Sequence, residues 1–311
     1  MGHGCPADQE KTLSVRAEAG PTGPRDCRSV TGVQRPIGLF DSGFGGLTVA
    51  RAVIDLLPGE DVVYIGDTGR YPFGDKPIDD VRRYARELAW SLVVDHNCKA
   101  VVVACNTAAA ALPIHELEAE LAAAGHSIPV IGVIEPGAHA LVRATRTGSI
   151  GVIGTIGTIN TGAYDRAVSR AAYGATVQLT SAACPGFVEF VERGRTTGPE
   201  VTLLAERLLA PIRDAKVDAL LLGCTHYPFL ARTISEVLGD DVMLVSSADE
   251  TAFALRELLL ERGLLRSDER TGSTRFLSSG DVNWFETLGR RLLGPELEAV
   301  ELWNGPTREI S

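Results

Sequence analysis

Short runs of wholly apolar residues recur along this chain, separated by amphipathic stretches, and no other feature limits its fold so strongly. The runs at 37–40, 62–65, 100–104 and 219–222 are apolar at every position instead of alternating. A strand reads that way when both its faces are buried, as in a parallel sheet covered by helices. Further strands are predicted at 130–133, 149–153, 176–179 and 242–245. Between them lie helical stretches such as VRRYARELAWSLVVDH and AAALPIHELEAELAAAG, the second closed by Gly125. Ser247 with Glu250 gives a capping box ahead of TAFALRELLL. The predicted class is α/β, with doubly wound, parallel-rich sheets and helices on both faces.

A weak internal repeat divides this pattern in two. AVVVACNT (100–107) matches ALLLGCTH (219–226): an apolar strand, a small residue, a cysteine and a polar pair. Ahead of each lies a strand ending in a small polar loop, IGLFDSG (37–43) and IGVIGTIGT (150–158). Asp41 precedes Cys105 by 64 positions and Gly154 precedes Cys224 by 70. Two similar α/β lobes, each presenting a cysteine loop, fit this spacing. The competing explanation is that buried strands look alike whatever their relation.

Thirty basic against forty acidic residues give a formal charge of −10, and no long basic run is present, which argues against a nucleic-acid partner. No apolar stretch reaches the roughly 20 residues of a membrane span. Residues 1–35 are rich in Gly, Pro and charge without periodicity, so a disordered extension is expected there, with order starting at Pro36. That stretch lacks the apolar core of a secretory signal. A cytoplasmic location is therefore expected, with six widely spaced cysteines as free thiols.

Open α/β sheets bind ligands beyond the carboxyl ends of their strands. Asp41-Ser42-Gly43, Cys105-Asn106-Thr107 and Cys224-Thr225-His226 all fall at such ends, and GDTGRYPFG (66–74) follows another strand. Helix N-termini behind these loops favour carboxylates, so a small anionic ligand is implied. A cysteine at a strand end is ordinarily a small buried hydrophobe. Two in matching loops, beside hydrogen-bonding side chains, point to chemistry. His226 is placed either to polarise Cys224 or to cap a helix, and Asp41 either to act at the site or to hold a turn. Cys98 and Cys184 lack such neighbours and read as structural; Cys5 and Cys27 fall in the extension.

Several chemistries find no support. DSGFGGLT departs from the dinucleotide fingerprint at Thr48, and the chain has no P-loop, no H-E-x-x-H and no clustered Cys and His for a metal. A pyridoxal enzyme needs a Schiff-base lysine. Lys11 lies in the extension and Lys99 at the wrong end of its strand, which leaves only Lys76 near a loop of interest.

FDSGFGGLTV (40–49), GDTGRYPFG (66–74), ACNTA (104–108) and LLGCTHYP (221–228), in this order and at these separations, resemble the glutamate racemase family. The similarity runs from about Pro36 to Trp303. Departures are Phe73, where members usually carry a second tyrosine, and Ala109, often serine in the family. The resemblance implies interconversion of L- and D-glutamate without a cofactor, supplying D-glutamate for peptidoglycan. It implies lobes of about 36–128 plus 243–303 and about 129–242, with the site between them. Cys105 and Cys224 become the paired acid/base thiols, assisted by Asp41 and His226 respectively. Asp41, Ser42, Phe73, Gly74, Asn106, Thr107, Thr225 and His226 would contact substrate. Glu192 matches an acidic residue near the second thiol, with Glu189 as the alternative.

The chemistry agrees with that assignment. Inverting a stereocentre needs one group to remove the α-proton and another to deliver a proton from the opposite face. A thiol, with an ordinary pKa of about 8.5, serves as acid or base near neutrality. Without a pyridoxal ring, the carbanion must be stabilised by N–H and hydroxyl dipoles in a site closed to water. Two other readings stay open at this level: a two-thiol racemase of aspartate or another small diacid, and a non-catalytic dicarboxylate-binding protein. The sequence does not fix the oligomeric state, a homodimer being one option.

Overall fold

The computed structural model describes residues 1–2, 32–268, 270–294, 297 and 299–307. Its strands are β1 (Ile37–Asp41), β2 (Val62–Gly66), β3 (Ala100–Val103), β4 (Val130–Gly132), β5 (Ser149–Gly154), β6 (Gln178–Ala183), β7 (Ala219–Gly223), β8 (Met243–Ser246), β9 (Thr274–Ser278) and β10 (Val300–Leu302). They form a six-stranded sheet, ordered β10-β9-β2-β1-β3-β4, and a four-stranded sheet, ordered β6-β5-β7-β8. Every pairing is parallel.

Both faces of the first sheet are covered, which explains its unbroken apolar strands. Leu39, Tyr64 and Val102 face one core with Leu47, Ala50 and Val53 of the helix Leu47–Leu56. Phe40, Ile65, Val101 and Val103 face the other, with Val81, Ala85, Leu88 and Leu92 of the helix Ile78–Val94. That spacing of four, three and four residues keeps one stripe of the helix on the sheet. The second sheet is built alike, Leu220 and Leu222 facing one core, Ala219 and Leu221 the other.

The repeat is exact in register. Ile37 pairs with Ala100 where β1 meets β3, and Ile150 with Ala219 where β5 meets β7, so Phe40–Val103 and Ile153–Leu222 occupy matching rungs. In both sheets the strand order reverses beside this pair, which is where open α/β sheets form ligand crevices.

The chain changes sheets one strand later than the sequence boundaries of 128/129 and 242/243. Val130 pairs with Val101 in the first sheet, and Met243 with Ala219 in the second. Each of these strands completes a parallel unit begun in its own sheet, so the crossings follow β4 and β8. The helix Ser247–Glu261 then returns to the first sheet's core through Ala248, Ala252, Leu255 and Leu259.

Local differences from the sequence reading have plain causes. The helical stretch closed by Gly125 is two helices, Asn106–Ala111 and Ile114–Ala123. Leu112 is extended ahead of Pro113, as a pre-proline residue must tend to be. The N-cap of the last crossover helix is Ser246, whose hydroxyl accepts from the Ala248 amide, one residue ahead of the predicted Ser247. β6 starts at Gln178, not at 176, because this edge strand is mostly polar and half exposed. Strands β9 and β10 escaped detection: TRFLS is largely polar and VEL is short and partly exposed.

Most of the extension expected at 1–35, with Cys5, Cys27 and Lys11, lies outside the described residues. Its inner end does not: Gly32–Gln34 forms a turn of 3-10 helix, four residues before Pro36. Lys99 anchors it, donating from Nζ to Val33 O at 2.7 Å, Leu264 O at 2.8 Å and Glu60 Oε2 at 2.5 Å. Glu60 also accepts from the Arg266 amide. Both side chains of this ion pair are almost fully buried, so losing one leaves the other without compensation. Lys99→Met is expected to cost about 3–5 kcal/mol in urea unfolding. Adding Glu60→Leu should recover part of that loss, and a double variant less stable than the single would contradict this account.

Candidate active site

A cavity of about 470 Å³ lies between the carboxyl ends of the two sheets. Its wall holds Cys105 and Ser42 from the first lobe and Cys224, Thr225 and His226 from the second. Phe73, Gly74, Asn106, Thr107 and Glu192 also line it, and so does Glu189. Asp41 does not. Its carboxylate is fully buried behind the wall, where Oδ2 accepts from the Gly43 amide at 2.9 Å. Lys76 is not among the lining residues.

Cys105 is the N-cap of the helix Asn106–Ala111, and its Sγ accepts from the Ala108 amide at 3.4 Å. The thiol lies 3.7 Å from Ser42 Oγ. Burial, then the charge of Asp41, push its pKa up to about 12, against the pull of those two hydrogen bonds. Near neutrality this sulfur carries its proton.

The second thiol has different company. Cys224 Sγ lies 3.9 Å from His226 Nδ1, and His226 Nε2 lies 3.6 Å from Glu192 Oε1. Burial would lower the histidine pKa, yet the proximity of Cys224 and of the Glu192 carboxylate, with the charges of Cys224 and Asp41, raises it to about 10. A histidine cation touching a sulfur is the arrangement that makes a thiolate base. At the rung where β1 carries Asp41, β5 carries Gly154, so the second lobe has no carboxylate there; the carboxylate beside its histidine is Glu192.

Sequence reasoning missed several members of the wall. Tyr71, Thr155 and Cys184 line the cavity. Thr107 Oγ1 lies 3.0 Å from Thr155 Oγ1 and 3.2 Å from Thr158 Oγ1, joining the lobes through hydroxyls. The position of Thr155 in the repeat, directly after β5 as Ser42 follows β1, was the available signal. Cys184, read as structural, belongs to the wall, its thiol raised to about 12 by burial and by Cys224.

Asp41 Oδ1, Tyr71 Oη, Asn106 Oδ1, Glu192 Oε1 and His226 Nε2 are buried without hydrogen-bond partners among the described residues. Native proteins leave few such groups. All but Asp41 belong to residues lining this one cavity, which marks it as built for a polar ligand. A larger hollow of about 1080 Å³, between the helices Ile114–Ala123, Ile134–Ala144 and Ser247–Glu261, has no thiol in its wall. Its arginines 143 and 170 are paired with Glu250 and Glu135.

The profile of the Asp/Glu/hydantoin racemases matches residues 48–255. The chain belongs to this family. It is therefore an isomerase. A glutamate racemase of Beutenbergia cavernae is 50% identical over 274 residues, spanning 85% of this chain and 91% of that one. Among solved structures, a glutamate racemase from Bacillus anthracis is 40% identical with a TM-score of 0.76, covering 86% of this chain and 96% of its own. One from Francisella tularensis, in complex with D-glutamate, is 33% identical with a TM-score of 0.79, covering 88% and 98%. Among the described residues no helix of this racemase is long and apolar enough to cross a membrane.

Two outcomes test the site. A Cβ on Gly45 would stand 2.1 Å from Thr225 Oγ1 and 2.6 Å from His226 Nδ1, so Gly45→Ala must displace the second thiol's neighbours. Turnover should fall by about 100-fold, as a shift near 1 Å can do, with the circular dichroism spectrum kept. The raised His226 pKa makes a signed prediction as well. Its folded value lies above its unfolded one, so its contribution to stability is full below about pH 6.5 and is lost as pH rises through about 10. His226→Asn should lower the urea midpoint most at pH 6 and least at pH 10; the opposite trend would refute the raised pKa.

Proposed function

We propose that this racemase interconverts L- and D-glutamate by a two-thiol mechanism, with Cys224 and Cys105 on opposite faces of the substrate α-carbon. The observation that carries this reading is the pair of sulfurs in the wall of one cavity, one 3.9 Å from His226 Nδ1 and the other 3.7 Å from Ser42 Oγ. Relatives at about half identity are glutamate racemases by name, which favours glutamate over other diacids.

From L-glutamate, Cys224 as thiolate takes the α-proton, and the electron pair stays on the α-carbon. Cys105 then gives its thiol proton to the opposite face, which leaves D-glutamate, a Cys224 thiol and a Cys105 thiolate. The D-enantiomer runs the same steps backward. The second N–H of Asn106 Nδ2, whose other N–H donates to Tyr164 Oη at 2.7 Å, with the hydroxyls of Ser42, Thr107 and Thr225 would hold the carboxylates, so that fixed dipoles meet the developing charge. Asp41, behind Cys105, keeps that sulfur protonated until the substrate's ammonium offsets its charge. The reading carries with it a cytoplasmic protein that supplies D-glutamate to the cell wall and needs no cofactor.

L- and D-glutamate are mirror images, so the equilibrium constant is one and kcat/KM must be equal in the two directions. Any substitution therefore lowers both alike. Cys105→Ala or Cys224→Ala should cut racemisation by about 10²–10⁴-fold or more in either direction, the scale of one acid/base group. In deuterated water, Cys224→Ala should label D-glutamate in preference to L-glutamate, and Cys105→Ala the reverse. Full racemisation by either single variant would refute the two-base scheme.

A further inference from the structure

Tyr71 reaches across the cavity from the loop after β2 toward the acid/base group of the second lobe. Its ring lies against Gly43, where a Cβ would stand 2.9 Å from Tyr71 Cδ2. It meets Phe44 edge-on at 6.3 Å between centroids and the His226 ring at the same separation, tilted by 41°. The ring is thus fixed on both sides. Its hydroxyl is buried without a hydrogen-bond partner, and so are Glu192 Oε1 and His226 Nε2. These atoms are complementary: a phenol O–H can donate, a carboxylate can only accept, and a histidine cation donates from both nitrogens. Burial and then the nearby Glu192 charge push the phenol pKa upward, so Tyr71 keeps its proton.

We propose that Tyr71 is a positioning residue for the second thiol, its hydroxyl donating to the Glu192 carboxylate so that Glu192 holds His226 against Cys224. The inference rests on the two-thiol reading above. It gives the first lobe a hand in the chemistry of the second, because the hydroxyl comes from the β2 loop while Glu192, His226 and Cys224 belong to the other lobe. Tyr71 acts through Glu192, not on the substrate. Its loss should raise the barrier at the Cys224 face and leave the Cys105 face as it was.

The experiment uses full-length protein with L- and D-glutamate carrying deuterium at the α-carbon. In Tyr71→Phe, kcat/KM should fall by about tenfold in both directions, the scale of losing one hydrogen bond that holds the second thiol's neighbours in place. Removal of the L-proton by Cys224 then limits the rate more, so the primary isotope effect should rise with deuterated L-glutamate. It should fall with deuterated D-glutamate, whose label is removed at the other face. Ser42→Ala, beside Cys105, should reverse that split. Adding Tyr71→Phe to Glu192→Gln should cost little beyond Glu192→Gln alone, since one residue acts through the other. Isotope effects that stay fixed, or move together for both enantiomers, would overturn the proposal. So would a full additive loss in the double variant, which would place the hydroxyl on the substrate. If Tyr71→Phe did not fold, the same split in Glu192→Gln would be required for the proposal to stand. Wild-type protein that exchanged neither enantiomer would instead defeat the underlying two-thiol reading.

Discussion

Because every strand pair in both sheets is parallel, the loops that follow the strands collect along one edge of each sheet. The two edges meet at the cavity, and each contributes the turn after its central pair of strands. Matching register in the two sheets puts Cys105 and Cys224 at equivalent places, one residue beyond Ala104 and Gly223. The placing of the two sulfurs is therefore a property of backbone hydrogen bonding before it is one of side chains.

Burial then separates the two sulfurs chemically. Removing a thiol from water disfavours its anion, and Asp41 adds to that penalty at Cys105. Beside Cys224 stands His226, whose pKa is raised by its contacts with Cys224 and Glu192 and by the charges of Cys224 and Asp41. A single buried carboxylate thus adds to the effects on both halves, second to burial at Cys105 and behind Cys224 and Glu192 at His226. This is why Asp41 can matter without standing on the cavity wall.

Much of the architecture was legible in the sequence because the central strands are buried on both faces, which writes unbroken apolar runs. Where burial is partial the signal fades: β6 and β10 lie at edges, β6 being half polar and β10 only three residues long, with two of them exposed. The cysteine loops were legible because they repeat. Tyr71 was not, since a tyrosine in a loop is an ordinary residue until folding puts it opposite a partner, and Thr155 was marked only by its place in the repeat. The crossing points were misplaced by one strand because the sequence of β4 and β8 carries no mark of which sheet they join. Lys99 was rightly set at the far end of its strand, but nothing in its surroundings on the chain announces that Glu60 and Val33 meet it there.

The Gly154 that stands where the other lobe has Asp41 has a consequence in chirality. The substrates are related by reflection, but no two parts of a chain of L-residues can be, so a repeated lobe cannot offer the two enantiomers equal surroundings. With Gly154 on one side and Asp41 on the other, the halves are free to bind the enantiomers with different strength. The equilibrium stays at one, yet saturation need not be shared, and the enzyme can be filled by one hand of its substrate at concentrations where the other still finds it empty.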